Sequence, residues 1–376
     1  MSVGLTSAKQ YLTCCSRDRS NFALVKALNL RPLLLRRRTF RMKEQSLMHQ
    51  LDGLTYPRLN LDDHTLDSNL PSTKSQPQVE CLRLPPRTNL GVLDALPLEL
   101  LHEILSQLDL RTLTDFRCIN RRAIDLVNSL PQYRAVNTYA LNALRGVLSI
   151  ETGRWITCRA IYEKLCTPGC EQCGDFGGYL YLLTCKRVCF LCLSQDRLYL
   201  PLSPRRASRK FGLDSRIINT LPRMRVICGI YSPNEKRVGA PSVLVDYESA
   251  LDAGISLHGS LRAMQKYVAD MEAQKLQAYN ARVSAAAAAS ITCRMRQPTT
   301  SDPFDGKSGN PFRFVAIVNV PWLNRSLQEV EWGFHCVGCE KCCRRPLHYR
   351  RKFTAASFHD HLKEVGNIQD REHHLC

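Results

Sequence analysis

Two Cys-x2-Cys pairs are the residues of this chain most able to do chemistry. The segment CEQCGDFGGYLYLLTCKRVCFLC pairs Cys170 with Cys173 and Cys189 with Cys192. Such pairs can form disulfides, carry out thiol redox reactions, bind a metal, or simply be buried as small apolar residues. Which of these applies decides what class of molecule this is.

The expected compartment weighs against disulfides. Residues 1–30 lack a run of about seven apolar residues followed by a small-residue cleavage site. No segment approaches the roughly 18 consecutive apolar residues of a membrane span. We therefore expect no membrane partner and a reducing location, cytoplasm or nucleus, where disulfides are rare. Of the 18 cysteines, 11 fall within residues 158–192 and 336–343, a grouping that random burial would not produce. Metal binding is the interpretation that we favour.

The spacing of the first group is typical of structural zinc. Fifteen residues separate Cys173 from Cys189, within the range of four-thiolate sites, and a redox motif would need only one pair. The intervening GGYLYLL is β-prone and predicts a hairpin that brings the pairs together. Such a site is closed, so it predicts no catalysis. Cys158, Cys166 and Cys185 are spare thiols, and any of them could replace one of the four.

A second metal site is predicted near the C-terminus with an incomplete ligand set. Cys336 and Cys339 form a third Cys-x2-Cys pair, and the predicted helix FTAASFHDHLKEV could return His359 or His361 to it, of which we select His361. Val365, four residues after His361, cannot bind a metal. A buried thiol pair beside solvated histidines is the alternative. The fourth position is left open among Cys342, His373 and His374.

The elements before the cysteines form a small helical module, residues 91–136. Pro97 suits the start of a first helix and Asp109 can cap a second, while Ile124 and Val127 belong to a third. About 40 residues in three short helices cannot bury all of their apolar side chains, so a partner or the rest of the chain must cover some of them. The apolar face of the first helix consists of Leu96, Leu100, Ile104, Leu105 and Leu108.

The run LDALPLELLHEILSQLDLRTLTDFRCINR resembles an F-box. In that family the motif docks a substrate receptor onto the Skp-type adaptor of a cullin–RING (SCF) ubiquitin ligase. Arg117 also matches the motif, whereas Cys118, Ile119 and Asn120 stand where valine, serine and lysine are common; Ile119 keeps the apolar character. The resemblance implies adaptor contacts from Leu96, Pro97, Glu99, Leu100, Ile104, Leu108 and Leu113.

Downstream, the sequence predicts an α+β fold that is mostly helical, with short hairpins and one long helix. We predict strands over Arg225–Tyr231 and Ser242–Tyr247, joined by a Pro-Asn turn, and a helix over Ser256–Arg296. FRFVAIVNVPWLN and EVEWGFHCVGC look like paired strands. The order of these blocks resembles a large group of fungal F-box proteins with a cysteine-rich, zinc-binding-like C-terminal region, a group that implies no particular substrate.

The net charge of +18 is unevenly distributed. Residues 1–43 hold ten Lys or Arg against one acid, and we interpret them as a basic tail, a targeting peptide or an extension upstream of Met42 or Met48. Residues 44–90 have the composition of a linker. The expected organisation is a disordered basic tail and linker over 1–90, an F-box over 91–136 and a cysteine-rich α+β domain over 137–376.

Two functions of different classes remain. The preferred one is a non-catalytic F-box receptor that binds a Skp-type adaptor, through it a cullin, and an unknown protein substrate. The alternative is a zinc-containing nucleic-acid-binding or regulatory protein that uses the basic surface of residues 341–353, although no base-reading helix supports it. No Gly-rich phosphate loop, Ser/His/Asp arrangement or zinc-protease helix occurs, so we expect no enzyme activity.

Overall fold

The structure is a computed structural model, and it separates the chain into the units Met1–Gly53 and Leu54–Cys376. All of the elements below belong to the second unit. The expectations for the basic segment 1–43 lie outside the described residues. The residues that the structure describes are 51, 53–57, 59, 61–71, 89–289, 297–298, 309–341 and 347–373.

Helices dominate the second unit, and side-chain caps mark where many of them begin. The side chains of Asp109, Asn120 and Thr157 each accept a hydrogen bond from a backbone N–H in the first turn. The described helices are α1 (Leu66–Asn69), α2 (Leu98–Gln107), α3 (Leu110–Arg117), α4 (Arg121–Ser129), α5 (Pro131–Tyr139), α6 (Leu141–Ser149), α7 (Cys158–Leu165), α8 (Phe190–Gln195), α9 (Pro204–Phe211), α10 (Ser215–Thr220), α11 (Tyr247–His258), α12 (Leu261–Ala288) and α13 (Ala355–Val365).

The strands are short and pair antiparallel. The described strands are β1 (Thr55–Tyr56), β2 (Tyr179–Tyr181), β3 (Lys186–Val188), β4 (Arg223–Arg225), β5 (Gly229–Tyr231), β6 (Lys236–Val238), β7 (Val243–Val245), β8 (Ile317–Asn319), β9 (Trp322–Asn324), β10 (Glu329–Glu331), β11 (His335–Cys336), β12 (Ile368–Gln369) and β13 (Glu372–His373). One sheet has three strands in the order β3–β2–β8, and the other pairs are β1–β11, β4–β7, β5–β6, β9–β10 and β12–β13. The predicted fold class, α+β and mostly helical, is confirmed.

The three-stranded sheet carries the segment between the first two cysteine pairs. Strands β2 and β3 form the hairpin that GGYLYLL predicts, with Tyr179 opposite Val188. Strand β8 pairs with the other edge of β2 and places Asn319 opposite Tyr179. All three residues of β2 are buried, and since successive side chains of a strand point to opposite faces, both faces of the sheet are covered at β2.

The helices of residues 91–136 share one hydrophobic core with the rest of the unit. Leu101 and Leu105 of α2 are buried in the same cluster as Ile161 and Leu165 of α7. The apolar surface that three short helices cannot bury alone is therefore partly covered by the chain itself.

Part of the expected linker is folded, which corrects the prediction for residues 44–90. Within residues 61–71, the side chain of Leu66 is fully buried in the main core. The Asp67 carboxylate accepts hydrogen bonds from the backbone and side-chain N–H groups of Asn319. Strand β1 pairs with β11. A polar composition predicted a linker, but tertiary contacts order these residues.

Three further element predictions were wrong in detail. The expected strand Arg225–Tyr231 is split between β4, which pairs with β7, and β5, which pairs with β6. The long helix begins at Leu261 rather than Ser256, because Gly259 ends α11 with a φ of 82° and Ser260 caps α12. The two late segments pair with each other as predicted only where β9 joins β10, whereas β8 joins β2 and β11 joins β1.

Candidate metal centres and adaptor surface

The four cysteine sulfurs of the first two Cys-x2-Cys pairs converge on one point. The Sγ atoms all lie within 4.8 Å of one another, and those of Cys173 and Cys189 are 3.6 Å apart. Tetrahedral zinc with bonds of about 2.3 Å separates its sulfur ligands by about 3.8 Å. The sulfur positions therefore match the geometry of a metal centre. We call this group the tetracysteine cluster: Cys170, Cys173, Cys189 and Cys192.

Local backbone structure explains how each pair presents its sulfurs. In the first pair, the N–H of Gly174 donates to the carbonyl of Cys170 at 2.9 Å, and Gly174 adopts a φ of 81°, which suits glycine. In the second pair, Cys189 caps α8, and its sulfur accepts from the N–H of Cys192 at 3.4 Å. One pair therefore lies in a tight turn and the other at a helix N-terminus.

The electrostatics of the tetracysteine cluster favour a cation. Hydrogen bonds from the thiols of Cys189 and Cys192 hold the pKa of Cys170 far below its ordinary value. The Cys170 thiolate in turn raises the pKa of Cys192 well above its ordinary value. All four sulfurs can be ionised together only if a positive ion compensates their mutual repulsion.

The spare thiols of this region do not join the tetracysteine cluster. Burial raises the pKa of Cys158 and of Cys185 to about 12, so both are protonated at neutral pH. They are poor nucleophiles and poor ligands in that state. Cys166 ends α7 and lies outside the group of converging sulfurs.

A second group of ligand atoms converges near the C-terminus. The sulfur of Cys336 lies 3.2 Å from Nε2 of His373, and the sulfur of Cys339 lies 3.3 Å from Nε2 of His361 and 3.4 Å from Nε2 of His373. A tetrahedral zinc ion would separate sulfur and nitrogen ligands by about 3.6 Å. All four residues are buried. We call this group the mixed cluster: Cys336, Cys339, His361 and His373.

The orientation of His373 and the low pKa of Cys336 both suit metal binding at the mixed cluster. Nδ1 of His373 donates to the carbonyl of Gly366 at 2.9 Å, which leaves Nε2 as the basic nitrogen facing the sulfurs. The ring of His361 packs 4.5 Å from that of Phe353. Hydrogen bonding from the Cys339 thiol lowers the pKa of Cys336 to about 4. A low pKa favours the thiolate, the form that binds metals.

The fourth candidate ligand of this site is the residue that sequence reasoning could not select. His361 lies beside the cysteine pair, whereas His359 on the same helix is exposed. His373 arrives on the β12–β13 hairpin, where it pairs with Ile368. The other two candidates, Cys342 and His374, lie outside the described residues.

The donor sets of the two clusters fit structural zinc. Four sulfurs, or two sulfurs with two imidazole nitrogens, are the ligand sets of closed tetrahedral zinc sites. Each cluster supplies four donors, so neither leaves a position for water or substrate. Metal bound at these clusters would hold the fold together and would not catalyse a reaction.

Helix α2 has one buried and one exposed apolar stripe. Leu101 and Leu105, four residues apart, face the core. Leu100 and Ile104, also four residues apart, keep 53% and 47% of their surface exposed. Leu98 is exposed as well. A helix that already buries one apolar stripe does not need a second one for folding, so the exposed stripe is suited to a partner.

The other residues predicted to contact the adaptor differ in exposure. Pro97 and Glu99 are exposed beside the stripe, whereas Leu96 and Leu108 are half-buried against the core. Leu113 is completely buried. A direct adaptor contact by Leu113 is therefore wrong. It packs inside the molecule because α3 turns this position towards the core.

The basic residues near the C-terminus are largely engaged within the fold. Arg350 is buried, pairs with Asp63 and lies over the ring of Phe190 at 3.7 Å from its centroid. Arg351 pairs with Asp175. Lys341 lies 3.9 Å from Glu372 and Lys352 lies 5.7 Å from the ring centroid of Tyr179, while Arg344 and Arg345 lie outside the described residues.

Comparison with known proteins supports one part of this site. Residues 93–135 match the F-box domain family, within two residues of the predicted boundaries at each end. No curated protein and no solved structure matches the chain. Among the residues that the structure describes, no helix combines the length and the apolar character needed to cross a membrane. The chain thus contains an F-box domain, which supports its interpretation as an F-box protein.

Proposed function

We propose that this chain is a substrate receptor of an SCF-type ubiquitin ligase. Its F-box binds a Skp-type adaptor and, through the adaptor, a cullin. The region 137–376 recruits an unidentified protein substrate. The receptor performs no reaction of its own; it raises the local concentration of the substrate near the ubiquitin carrier.

The exposed stripe of α2 is the observation that carries this proposal. Leu100 and Ile104 lie in the segment that matches the F-box family, and they face solvent although their neighbours Leu101 and Leu105 are buried. Covering two half-exposed aliphatic side chains contributes roughly 1–3 kcal/mol to association. Pro97, Leu98 and Glu99 extend the same surface towards the start of the helix.

We further propose that both clusters bind zinc and that zinc keeps the region after the F-box folded. The sheets there consist of strands of two or three residues, and sheets of this size have little stability by themselves. A structural zinc ion contributes several kcal/mol to folding. The ions would therefore stabilise the surface that a substrate contacts, without acting on the substrate.

Introducing a negative charge on the exposed stripe of α2 tests adaptor binding. Ile104→Glu and Leu100→Glu would place a carboxylate in an apolar interface, which costs several kcal/mol unless the charge is paired. We expect each variant to lose co-purification with a co-expressed Skp-type adaptor.

Two variants outside the F-box provide matched controls. Leu261→Glu and Leu257→Glu change leucines with 47% and 50% of their surface exposed, close to the values for Ile104 and Leu100. Both should retain the adaptor. If Ile104→Glu retained the adaptor as well as the controls do, the proposed docking surface would be wrong.

Nucleic-acid binding through residues 341–353 is less well supported. The described cations of this segment contact acidic or aromatic side chains of the same chain, and Phe353 is buried. Binding that depends on phosphate contacts falls steeply between about 50 and 200 mM salt. Adaptor binding by an apolar stripe should change little over that range, so a salt titration separates the two functions.

A further inference from the structure

We infer that residues 54–57 and 61–71 form a strap whose docking is thermodynamically linked to metal binding at the mixed cluster. The ligand is a divalent metal ion of the zinc type. This inference rests on the proposed metal binding there, and it goes further by assigning a role to a segment that the sequence predicts to be a linker. The strap includes β1 and α1 and precedes the F-box.

The first contact of the strap is with the strand that carries a metal ligand. Thr55 pairs with Cys336, and Tyr56 pairs with His335, in the β1–β11 ladder. The ring of Tyr56 stacks on that of His335 with centroids 5.4 Å apart. The N–H of Val337, between the two cysteines of the pair, donates to the carbonyl of Leu54 at 3.0 Å. The strap therefore fixes the backbone on both sides of Cys336.

The pairing of β1 with β11 and metal binding at the mixed cluster should stabilise each other. A pair of two-residue strands is not stable in water by itself. Metal bound to Cys336 and Cys339 would hold β11 in the conformation that β1 recognises. Linkage is reciprocal, so a docked strap must strengthen metal binding by the same factor by which the metal strengthens docking.

A buried ion pair anchors the middle of the strap. Asp63 pairs with Arg350, and the hydroxyl of Tyr179 donates to the same carboxylate. Arg350 is only 3% exposed and lies over the ring of Phe190, the residue after Cys189. Removing one partner of such a pair leaves a buried charge uncompensated, which is strongly destabilising. The carbonyl of Arg351, the residue after Arg350, accepts a hydrogen bond from Nδ1 of His335 at 3.1 Å, so Asp63 positions the C-terminal segment against β11, the strand of Cys336.

The end of the strap is anchored away from the mixed cluster. Leu66 is fully buried in the main core, and the Asp67 carboxylate holds Asn319 of β8. The side chain of Asn69 donates to the carbonyl of Ile230 and accepts from its N–H. These contacts do not involve a metal ligand. Loss of metal should therefore release residues 54–57 and 61–63 and leave residues 64–71 in place.

The first experiment measures metal affinity in the full-length chain. Cobalt(II) substitutes for zinc, and its absorption distinguishes a site with four sulfurs from one with two sulfurs and two nitrogens. We expect Asp63→Asn to weaken binding at the mixed cluster by about tenfold. Asp62→Asn, at the neighbouring carboxylate with 62% of its side chain exposed, is the matched control.

A second variant covers the case in which Asp63→Asn does not fold. Tyr56→Ala removes the stacking on His335 and leaves the buried ion pair intact, so it should weaken the same site in the same direction. Unchanged affinity at the mixed cluster in every folded strap variant would overturn the inference while leaving metal binding itself intact. A chain that binds metal only at the tetracysteine cluster would overturn both the inference and the proposed second site.

The reciprocal experiment measures the strap. His361→Ala removes one ligand of the mixed cluster, and His359→Ala changes an exposed histidine of the same helix as its control. In zinc-loaded protein, we expect amide hydrogen exchange in residues 54–56 to accelerate about tenfold in His361→Ala alone, with residues 64–70 unaffected. Equal protection of residues 54–56 in both variants would contradict the linkage.

Discussion

Gly338 offers a direct test of the mixed cluster because a single added methyl group would displace one ligand. A Cβ atom at this position would lie 2.8 Å from Cδ2 and 2.9 Å from Nε2 of His373, and 3.0 Å from Cγ1 of Ile368. Ordinary contacts of a Cβ begin at 3.4 Å. In Gly338→Ala the imidazole ring must therefore move by about half an ångström or more away from position 338.

The expected loss of metal affinity follows from how little zinc–ligand distances can vary. Zinc–ligand distances vary by only about 0.2 Å in functional sites, so the displaced Nε2 of His373 would bind poorly. Disturbing a ligand's supporting contacts typically weakens binding by about tenfold to a hundredfold. That range corresponds to about 1.4–2.8 kcal/mol. The zinc-dependent part of the free energy of unfolding should fall by a similar amount.

Chelator competition in the full-length chain would measure this change, with cobalt absorption assigning the loss to the mixed cluster. Gly239→Ala is the matched control, since a Cβ there meets no atom within 4 Å. We expect the control to bind two metal ions with unchanged affinity. If Gly338→Ala also bound both ions as tightly as the unaltered chain, His373 would not be a ligand in the geometry described.

Three simpler measurements test the core, the spare thiols and the metal ligands. Leu113→Ala should lower the free energy of unfolding by about 2–5 kcal/mol in chemical denaturation, because the side chain is fully buried, and a loss below 1 kcal/mol would be inconsistent with that burial. At pH 8, iodoacetamide should label the exposed Cys118 and Cys228 and spare Cys158 and Cys185. Burial raises the pKa of the latter two to about 12, so only about one thiol in ten thousand is ionised; rapid labelling of either would refute this. Lowering the pH from 7 to 5 should release zinc from both clusters, because protons compete for thiolates and imidazoles, and an unchanged metal content would count against zinc ligation.

Features encoded over short stretches of sequence could be predicted. The two pairs of the tetracysteine cluster are joined by one hairpin, so the spacing of the cysteines in sequence is enough to predict that their sulfurs meet. Helix α3 was predictable from its cap, Asp109, and its apolar period. The F-box was predictable from its resemblance to a family motif, and that motif is contiguous in sequence.

Features that depend on distant contacts could not be predicted. His373 is 34 residues beyond Cys339, and no ligand-spacing rule reaches that far. Leu100 and Leu101 are both apolar positions of α2, and periodicity alone does not say which of them faces the core. The burial of Leu66 depends on tertiary contacts, because its neighbours in sequence are polar.

The backbone of the F-box depends on residues outside it, which bears on the boundary expected at residue 136. Leu110 and Arg111 begin α3, so their N–H groups have no acceptor within that helix. They donate instead to the carbonyls of Ile156 at 2.8 Å and Gly153 at 3.3 Å. Asp109 also forms an isolated bridge with Thr157, the cap of α7.

These backbone hydrogen bonds between α3 and residues 153–156 predict that the F-box and the cysteine-rich region unfold together. Opening α3 alone would leave the carbonyls of Gly153 and Ile156 without donors and would expose Leu110 and Leu113, which are fully buried. The amides of Leu110 and Arg111 should therefore exchange hydrogen as slowly as those of β2 in the central sheet. An F-box that behaved as a separate domain on a flexible connection would exchange these amides much earlier. Slow exchange would mean that an adaptor bound to α2 and a substrate bound beyond α7 are held at a fixed relative orientation.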